Sequence, residues 1–492
     1  MRYVIGIDIG TTNTKAVAYT EHGQVLASAE SSYPVFTDSS GMHELEPSVL
    51  FDAVLQVLLQ VTEHSTAKEK PFAVGLSCAM HSLILVDSGG NPLTRALTWA
   101  DRRSEAVAER LKASDAGRRI YRQTRVPIHA MSPLCKLLWL KEQDATLFRR
   151  AARFISIKEY IWWRFFGKYQ VDLSIASATG LLDIRQPDWN RESLAIAGIH
   201  PGQLSELVST THRETVLLPA WRALGFSADM PFVIGASDGC LANLGTGAVH
   251  PGETALTIGT SGAVRMATRM PQFDASERLF SYILTKDLYI TGGATNNGGN
   301  AVQWYADLVF GKGRWDMTAL DGLVGEAEAV VPGCEGLIFL PYLLGERAPV
   351  WDAEAKAVYF GVRSIHDRRH FMRAVLEGVA YSLRQIGTSL EETIGPIGNI
   401  HASGGFTQSP FWLQLIADVF SKTVKVNSVV DASATGAAML AWIGLGVLGG
   451  PAEAAALVRT EAVFHPDAHR HVAYESNYRV FTQLYGRLKD LM

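Results

Sequence analysis

Asp8-Ile9-Gly10-Thr11-Thr12-Asn13-Thr14-Lys15 is a polar turn set between two apolar runs, residues 3–8 and 14–19. The pattern predicts a buried strand, a tight turn and a returning strand. Residues 24–30 continue as a third strand. Residues 47–62 predict a helix, with apolar side chains at Val49, Leu50, Ala53, Val54, Val57, Leu58 and Val61. Another strand follows at 72–78. Strands alternating with helices predict an α/β layered architecture.

The turn itself has the chemistry of a phosphate grip. Gly10 permits close backbone approach. Thr11, Thr12 and Asn13 offer donors, and Lys15 offers positive charge. Asp8, at the strand's end, suits a hydrated Mg²⁺, which takes one or two carboxylates plus phosphate oxygens. An ordinary polar hairpin is the competing reading. It is weakened by an internal echo: Ile258-Gly259-Thr260-Ser261 repeats Ile9-Gly10-Thr11-Thr12 between two further apolar runs. The offset is 249 residues (258 minus 9), close to half the chain. Two such loops can clamp a triphosphate from both sides.

Two other turns carry chemistry-bearing residues. In Gly235-Ala236-Ser237-Asp238-Gly239, a strand over 231–236 ends at an aspartate and a helix begins near Cys240. An aspartate at a strand's C-terminal end lies where α/β sheets bind ligands. It can act as general base toward a hydroxyl, or simply cap the helix. Gly404-Gly405-Phe406-Thr407-Gln408-Ser409-Pro410 joins a strand at 400–403 to a helix at 410–420, and its glycine pair can admit a flat purine or ribose. Helices are also predicted at 298–310, 370–390, 434–444 and 474–491. Gly444-Leu445-Gly446-Val447-Leu448-Gly449 matches G-x-G-x-x-G. It follows a helical run rather than a strand and reads as a helix terminus, not a dinucleotide site. No G-x-x-x-x-G-K-[ST] loop occurs.

Composition bounds the alternatives. The 492 residues suffice for two to four domains at ~100–200 residues each. Hydrophobic residues make up 47% and charged residues 19%, an ordinary globular balance. A net charge of −4 gives no footprint for nucleic acid. Cys78, Cys135, Cys240 and Cys334 form no C-x-x-C pair, and buried reduced thiols are expected. The opening MRYVIGIDIG lacks a signal-type apolar region, and no run is long enough to span a membrane, so the cytoplasm is the expected location.

The whole pattern resembles the FGGY family of carbohydrate kinases, of the actin and hexokinase superfamily. Met131-Ser132-Pro133-Leu134-Cys135-Lys136-Leu137-Leu138-Trp139-Leu140-Lys141-Glu142-Gln143 is similar to the family's first signature. Ala357-Val358-Tyr359-Phe360-Gly361-Val362, with His370-Phe371-Met372-Arg373-Ala374-Val375-Leu376-Glu377, is similar to its second. The resemblance implies two ribonuclease-H-like α/β domains around a central cleft, residues 1–248 on the sugar side and 249–492 on the ATP side. It implies Asp238 as catalytic base, with Asp8 and Asp238 placing Mg²⁺ through water. It implies ATP contacts from Thr11, Thr12, Asn13, Lys15, Gly259, Thr260, Ser261, Gly262, Gly404, Gly405 and Gln408, although the family often has asparagine near the last of these.

On the acceptor side, Met80-His81 matches a sugar-contacting pair. The stretches Met80-His81-Ser82-Leu83, Trp99-Ala100-Asp101-Arg102-Arg103-Ser104 and Ser156-Ile157-Lys158-Glu159-Tyr160 are most similar to the gluconate-phosphorylating branch. A sugar-acid carboxylate needs a cationic or donor-rich pocket, for which His81, Arg102 and Lys158 are the candidates. Transfer of the γ-phosphoryl of ATP to D-gluconate, giving 6-phospho-D-gluconate, is the expected reaction. A xylulose-type kinase and, more remotely, an actin-like or chaperone-type ATPase are the rivals. The partners expected are a small sugar or sugar acid, without nucleic acid or membrane; a homodimer is compatible with this reading.

Overall fold

The computed structural model describes residues 2–65, 70–224, 229–429 and 431–492. The chain opens with β1 (Tyr3–Ile9), β2 (Asn13–Thr20), β3 (Val25–Ser32), α1 (Pro47–His64) and β4 (Ala73–Cys78). Helices α2 (Pro133–Gln143) and α3 (Ile157–Phe166) precede β5 (Phe232–Ser237), which runs directly into α4 (Asp238–Gly245). Then come β6 (Glu253–Ile258), β7 (Gly262–Thr268), α5 (Gly299–Phe310), α6 (Arg368–Thr393) and β8 (Asn399–Ser403). The chain ends through α7 (Pro410–Phe420), β9 (Thr423–Asn427), α8 (Ala432–Gly444), β10 (Thr460–Phe464) and α9 (Ala468–Leu488).

These elements form two compact units that are not contiguous in sequence. The first gathers Met1–Val249, Ala267–Thr291 and Val429–Val458; the second gathers His250–Met266, Gly292–Ser428 and Arg459–Met492. A single cut after residue 248 therefore leaves two later segments unaccounted for, and one of them contains α8.

In the first unit, β5, β4, β1, β2 and β3 lie side by side in that order, with the short strand Arg213–Glu214 outside β5. β1 is antiparallel to β2 and parallel to β4. Successive side chains on a strand face opposite ways, so β1 sorts its residues. Tyr3, Ile5, Ile7 and Ile9 enter a core with Leu50, Phe51, Val54, Val57 and Leu58 of α1 and Trp162 and Phe165 of α3. Gly6 lies on the opposite face, where α8 crosses. A Cβ on Gly6 would stand 1.9 Å from the Ala434 carbonyl oxygen, and one on Gly75 of β4 would stand 2.3 Å from that of Ala437. Two glycines beneath an alanine-rich helix thus let helix and sheet backbones touch. By the same alternation Asp8 points to the α8 side.

In the second unit β7, β6, β8, β9 and β10 follow one another. β6 is antiparallel to β7 and parallel to β8. The sequence echo is therefore an echo of topology: each polar loop joins a strand to its antiparallel partner, and the leading strand has a parallel neighbour on its other side. The second signature serves the fold. Arg373 and Glu377 form a buried ion pair at 2.7 Å inside α6, and Arg373 also donates to the Tyr474 hydroxyl. All four cysteines are buried, and among the described residues none forms a disulfide. Among the described residues, no helix is long and apolar enough to cross a membrane.

Candidate active site

The first hairpin is tightly built. The Gly10 amide donates to the Asn13 carbonyl at 3.0 Å, and the Tyr33 hydroxyl donates to the Gly10 carbonyl at 2.6 Å. Thr12 is exposed at the tip and Thr11 half-buried. The Asn13 side chain donates to Glu30 Oε1 at 2.6 Å, so its amide is already engaged. Asp8 receives the Ser77 hydroxyl at 2.6 Å. Burial pushes the Asp8 carboxyl well above the usual carboxylate range, and the charges of Asp431 and Asp238 push it further.

Asp431 is a residue that sequence reasoning missed. One of its oxygens caps α8 by accepting from the Ala434 amide at 2.9 Å. The other lies 3.6 Å from the Lys15 ammonium. Nothing near Asp431 in sequence connects it to Asp8. Only the packing of α8 on β1 brings them together.

Asp238 is the first residue of α4, and Ser237 occupies the cap position. The N-cap alternative is thereby removed for Asp238 itself. Its Oδ1 accepts from the Gly239 amide at 2.7 Å, and its carbonyl accepts from the Ser433 hydroxyl at 3.2 Å. The turn before it is held in an unusual shape. Gly235 has φ +74°, a Cβ there would meet the Leu76 carbonyl oxygen at 1.6 Å, and the β5–β4 register shifts between Val233 and Ala236. This bulge re-aims the chain just ahead of Asp238.

Lys158 supports that turn from below. It is buried, pairs with the buried Asp172 at 2.8 Å and donates to the Ala236 carbonyl at 3.0 Å. Ser174 reinforces it, exchanging hydroxyls with Ser237 at 2.9 Å and accepting the Ser237 amide at 3.1 Å. Paired with Asp172, this lysine braces the base-bearing turn.

His81 follows β4 with φ 67° and is mostly buried. Its Nδ1 lies 2.8 Å from the Ala178 carbonyl and its Nε2 lies 3.4 Å from the Tyr282 hydroxyl. Its carbonyl accepts from Lys136 at 2.6 Å, and Lys136 also donates to the Met131 carbonyl at 2.7 Å. Met80 is half-buried. Arg102 is exposed, 3.3 Å from Glu105, on a loop whose Asp101 is buried against Arg103.

Lys136 stands in the first signature, and sequence reasoning gave it no role. Burial pushes its ammonium down to about 7 from the ordinary 10.5. Below pH 7 folded and unfolded chains both carry the charge. Above it the folded chain releases a proton that the unfolded chain keeps until about pH 10.5, so stability climbs across that window. Lys136→Met is expected to abolish this climb, read as melting temperature between about pH 6 and pH 10. Parallel curves for variant and parent would exclude Lys136 as its source.

In the second unit, Gly259 and Thr260 are exposed and Ser261 half-buried. The Gly259 amide donates to the Ser261 carbonyl at 2.9 Å. Gly404 packs against the root of this loop: its φ is +98°, and a Cβ there would meet the Ile258 carbonyl oxygen at 2.3 Å. Thr257 and Ser403 share a hydroxyl contact of 2.9 Å. Gly405 and Gln408 are exposed just before α7. The second loop and the glycine pair are thus brought together. Gly444 closes α8 as a helix terminus, with no strand before it.

Each unit carries a polar loop on a strand hairpin, and carboxylates crowd beside the first, features suited to holding phosphates and a cation. The comparisons with known proteins agree. The N-terminal domain of the FGGY family of carbohydrate kinases matches residues 3–245 and its C-terminal domain matches residues 254–445, and the chain belongs to that family. It is a sugar kinase, and kinases of this family use ATP, typically with a divalent metal. Among particular proteins, it is similar to the gluconokinase of Bacillus subtilis (strain 168): 41% identical over 445 residues, 89% of this chain and 86% of that one. It is similar in structure to gluconate kinase from Lactobacillus acidophilus, with a TM-score of 0.94 at 33% identity over 99% of this chain and 98% of that one. Ligand-bound xylulose kinase from Lactobacillus acidophilus matches at a TM-score of 0.93 and 33% identity, over 99% of each chain.

Proposed function

We propose that the protein transfers the γ-phosphoryl group of ATP to the terminal hydroxyl of D-gluconate, releasing ADP and 6-phospho-D-gluconate. The observation that carries the acceptor assignment is the 41% identity to a gluconokinase over 89% of the chain. Asp238 takes the proton of the attacking hydroxyl, so that the oxygen can bond to phosphorus as the bond to the ADP oxygen breaks. Its position at the end of β5, with the turn behind it pinned by Lys158 and Ser174, supports that role. Thr11, Thr12 and Lys15 on the first loop, and Thr260, Ser261 and Gly262 on the second, supply donors and charge to the phosphates, where phosphoryl transfer gains most. Gly404, Gly405 and Gln408 receive the adenosine. Asn13 acts through its backbone, since its side chain is held by Glu30.

The residues suit Mg²⁺. Asp8 is a buried carboxyl crowded by two others, a setting that a cation relieves. Among the described residues no group of three or more His, Cys, Asp or Glu forms a metal cage. Mg²⁺ needs none, because it keeps water and takes one or two carboxylates with the substrate's phosphates. Asp8 and Asp238 would hold it through water; bound there, it would neutralise developing phosphate charge.

On the acceptor side Met80 and the His81 turn face the sugar, and Arg102 reads the carboxylate, its charge being the exposed one of the three cations considered. The rival is a ketose such as xylulose, which the equal identity to the two Lactobacillus acidophilus kinases keeps in play. A panel of D-gluconate, D-xylulose and glycerol, with ADP release as readout, decides. Gluconate is expected to give the highest kcat/KM, and a preference for xylulose would overturn the acceptor assignment while leaving the kinase reading intact.

A further inference from the structure

Glu346 is buried, lies in the second unit and is used by no step of the reaction. Its carboxylate collects four donors. The Thr295 hydroxyl reaches Oε2 at 2.7 Å and the Asn297 side-chain amide reaches it at 3.4 Å. The backbone amides of Asn296 and Arg347 reach Oε1 at 3.0 and 2.7 Å. Three of these four donors come from the consecutive residues 295–297. The same segment is tied a second time, by Arg347 donating to the Thr295 carbonyl at 3.0 Å and by Asn297 donating to the Gly345 carbonyl at 2.8 Å.

Immediately after this segment the chain turns into α5, and the first amides of a helix are normally free to receive an anion. Here they are spent on the second loop. Gly298 and Asn300 both donate to the Thr260 carbonyl at 3.2 Å, and Gly299 donates to the Gly259 carbonyl at 2.8 Å. The contact is close: a Cβ on Gly298 would stand 2.5 Å from the Ser261 carbonyl oxygen. Carbonyls repel a phosphate. With those of Gly259 and Thr260 turned onto α5, the loop's hydroxyls remain to meet one.

We infer that Glu346 is a positioning residue for the second phosphate loop, holding segment 295–297 so that the α5 amides draw the Gly259 and Thr260 carbonyls away from the nucleotide. This rests on the reading of residues 259–262 as a phosphate loop. Burial pushes the Glu346 carboxyl up to about 7 against the pull of its hydrogen bonds. Glutamine keeps one acceptor oxygen for the Asn296 and Arg347 amides but turns an NH2 donor toward Asn297, so it should keep only part of this hold.

The test compares Glu346→Ala, Glu346→Gln and Thr295→Val in the full chain. Glu346→Ala is expected to raise the KM for ATP about tenfold or more, as loss of a charged hydrogen-bond hub implies. The KM for the sugar acid should stay unchanged. Hydrogen exchange at the Gly298, Gly299 and Asn300 amides should speed up in the absence of ATP. Glu346→Gln, which keeps one of the two acceptor oxygens, should fall between Glu346→Ala and the parent in ATP KM. Should Glu346→Ala fail to fold, Thr295→Val decides, with about a threefold rise in ATP KM expected from loss of one buried hydrogen bond. An unchanged ATP KM in the folded variant, or equal losses toward ATP and the sugar acid, overturns the inference. Thr260→Ala tests the underlying reading separately: if it leaves the ATP KM untouched, residues 259–262 are not a phosphate loop, whatever Glu346 does to the amides of α5.

Discussion

Asp238→Asn is expected to lower turnover by about 10²–10⁴-fold, the range that a positioned general base contributes. Asparagine is the informative replacement because it keeps an acceptor oxygen for the neighbouring backbone while removing the carboxylate. Oδ1 of residue 238 receives the Gly239 amide at 2.7 Å, and an amide oxygen can do the same. The turn behind it is held by groups that do not touch the carboxylate: Lys158 on the Ala236 carbonyl and Ser174 on Ser237. Fold and melting temperature should therefore survive while proton acceptance is lost. Nucleotide binding should be largely retained, measured without divalent metal to separate the base role from any part in holding Mg²⁺. If Asp238→Asn turns over near the parent rate, the proton must leave by another route and the base assignment falls.

The parts of this site that sequence made legible are the local ones. A glycine and two threonines between apolar runs announced the first hairpin, and the echo at Ile258 announced the second; both are antiparallel hairpins in the structure. Pro410 after Ser409 marked the start of α7, and Ser409 does accept the Trp412 amide. The start of the last helix was misjudged. It begins at Ala468, not 474, because Asp467 accepts the amides of His469 and Arg470. That capping aspartate was visible and went unread. What lay beyond reach were contacts between distant segments. The small residues of α8 signal close packing but not which sheet receives it. Asp431 is therefore invisible as a neighbour of Asp8 and Lys15. Lys158 looked like a reader of carboxylates for the same reason: its partner Asp172 and its acceptor Ala236 are set by the fold, not by spacing.

Gly6→Ala should be among the most damaging single methyls in the first unit. The added Cβ would lie 1.9 Å from the Ala434 carbonyl oxygen and 2.9 Å from the Ala438 amide nitrogen. Both are backbone atoms of α8, which have no rotamer to change. Relief requires the helix to lift from β1. Overpacking usually costs about 1–3 kcal/mol where side chains can yield, and a rigid backbone contact should reach or exceed the upper end. Gly75→Ala meets the same helix at 2.3 Å and should behave alike. The loss should reach activity too. Lifting α8 carries Asp431 away from Lys15 and Ser433 away from the Asp238 carbonyl, so the phosphate hairpin and the base-bearing turn lose a shared support. Gly322→Ala is the control. It lies within the helix Met317–Glu328 with nothing within 4 Å of its added Cβ, and alanine there should stabilise by about 0.5–1 kcal/mol. Thermal unfolding of the three variants gives the answer: a Gly6→Ala protein that melts with the parent would mean that α8 does not rest on β1 as closely as these distances require.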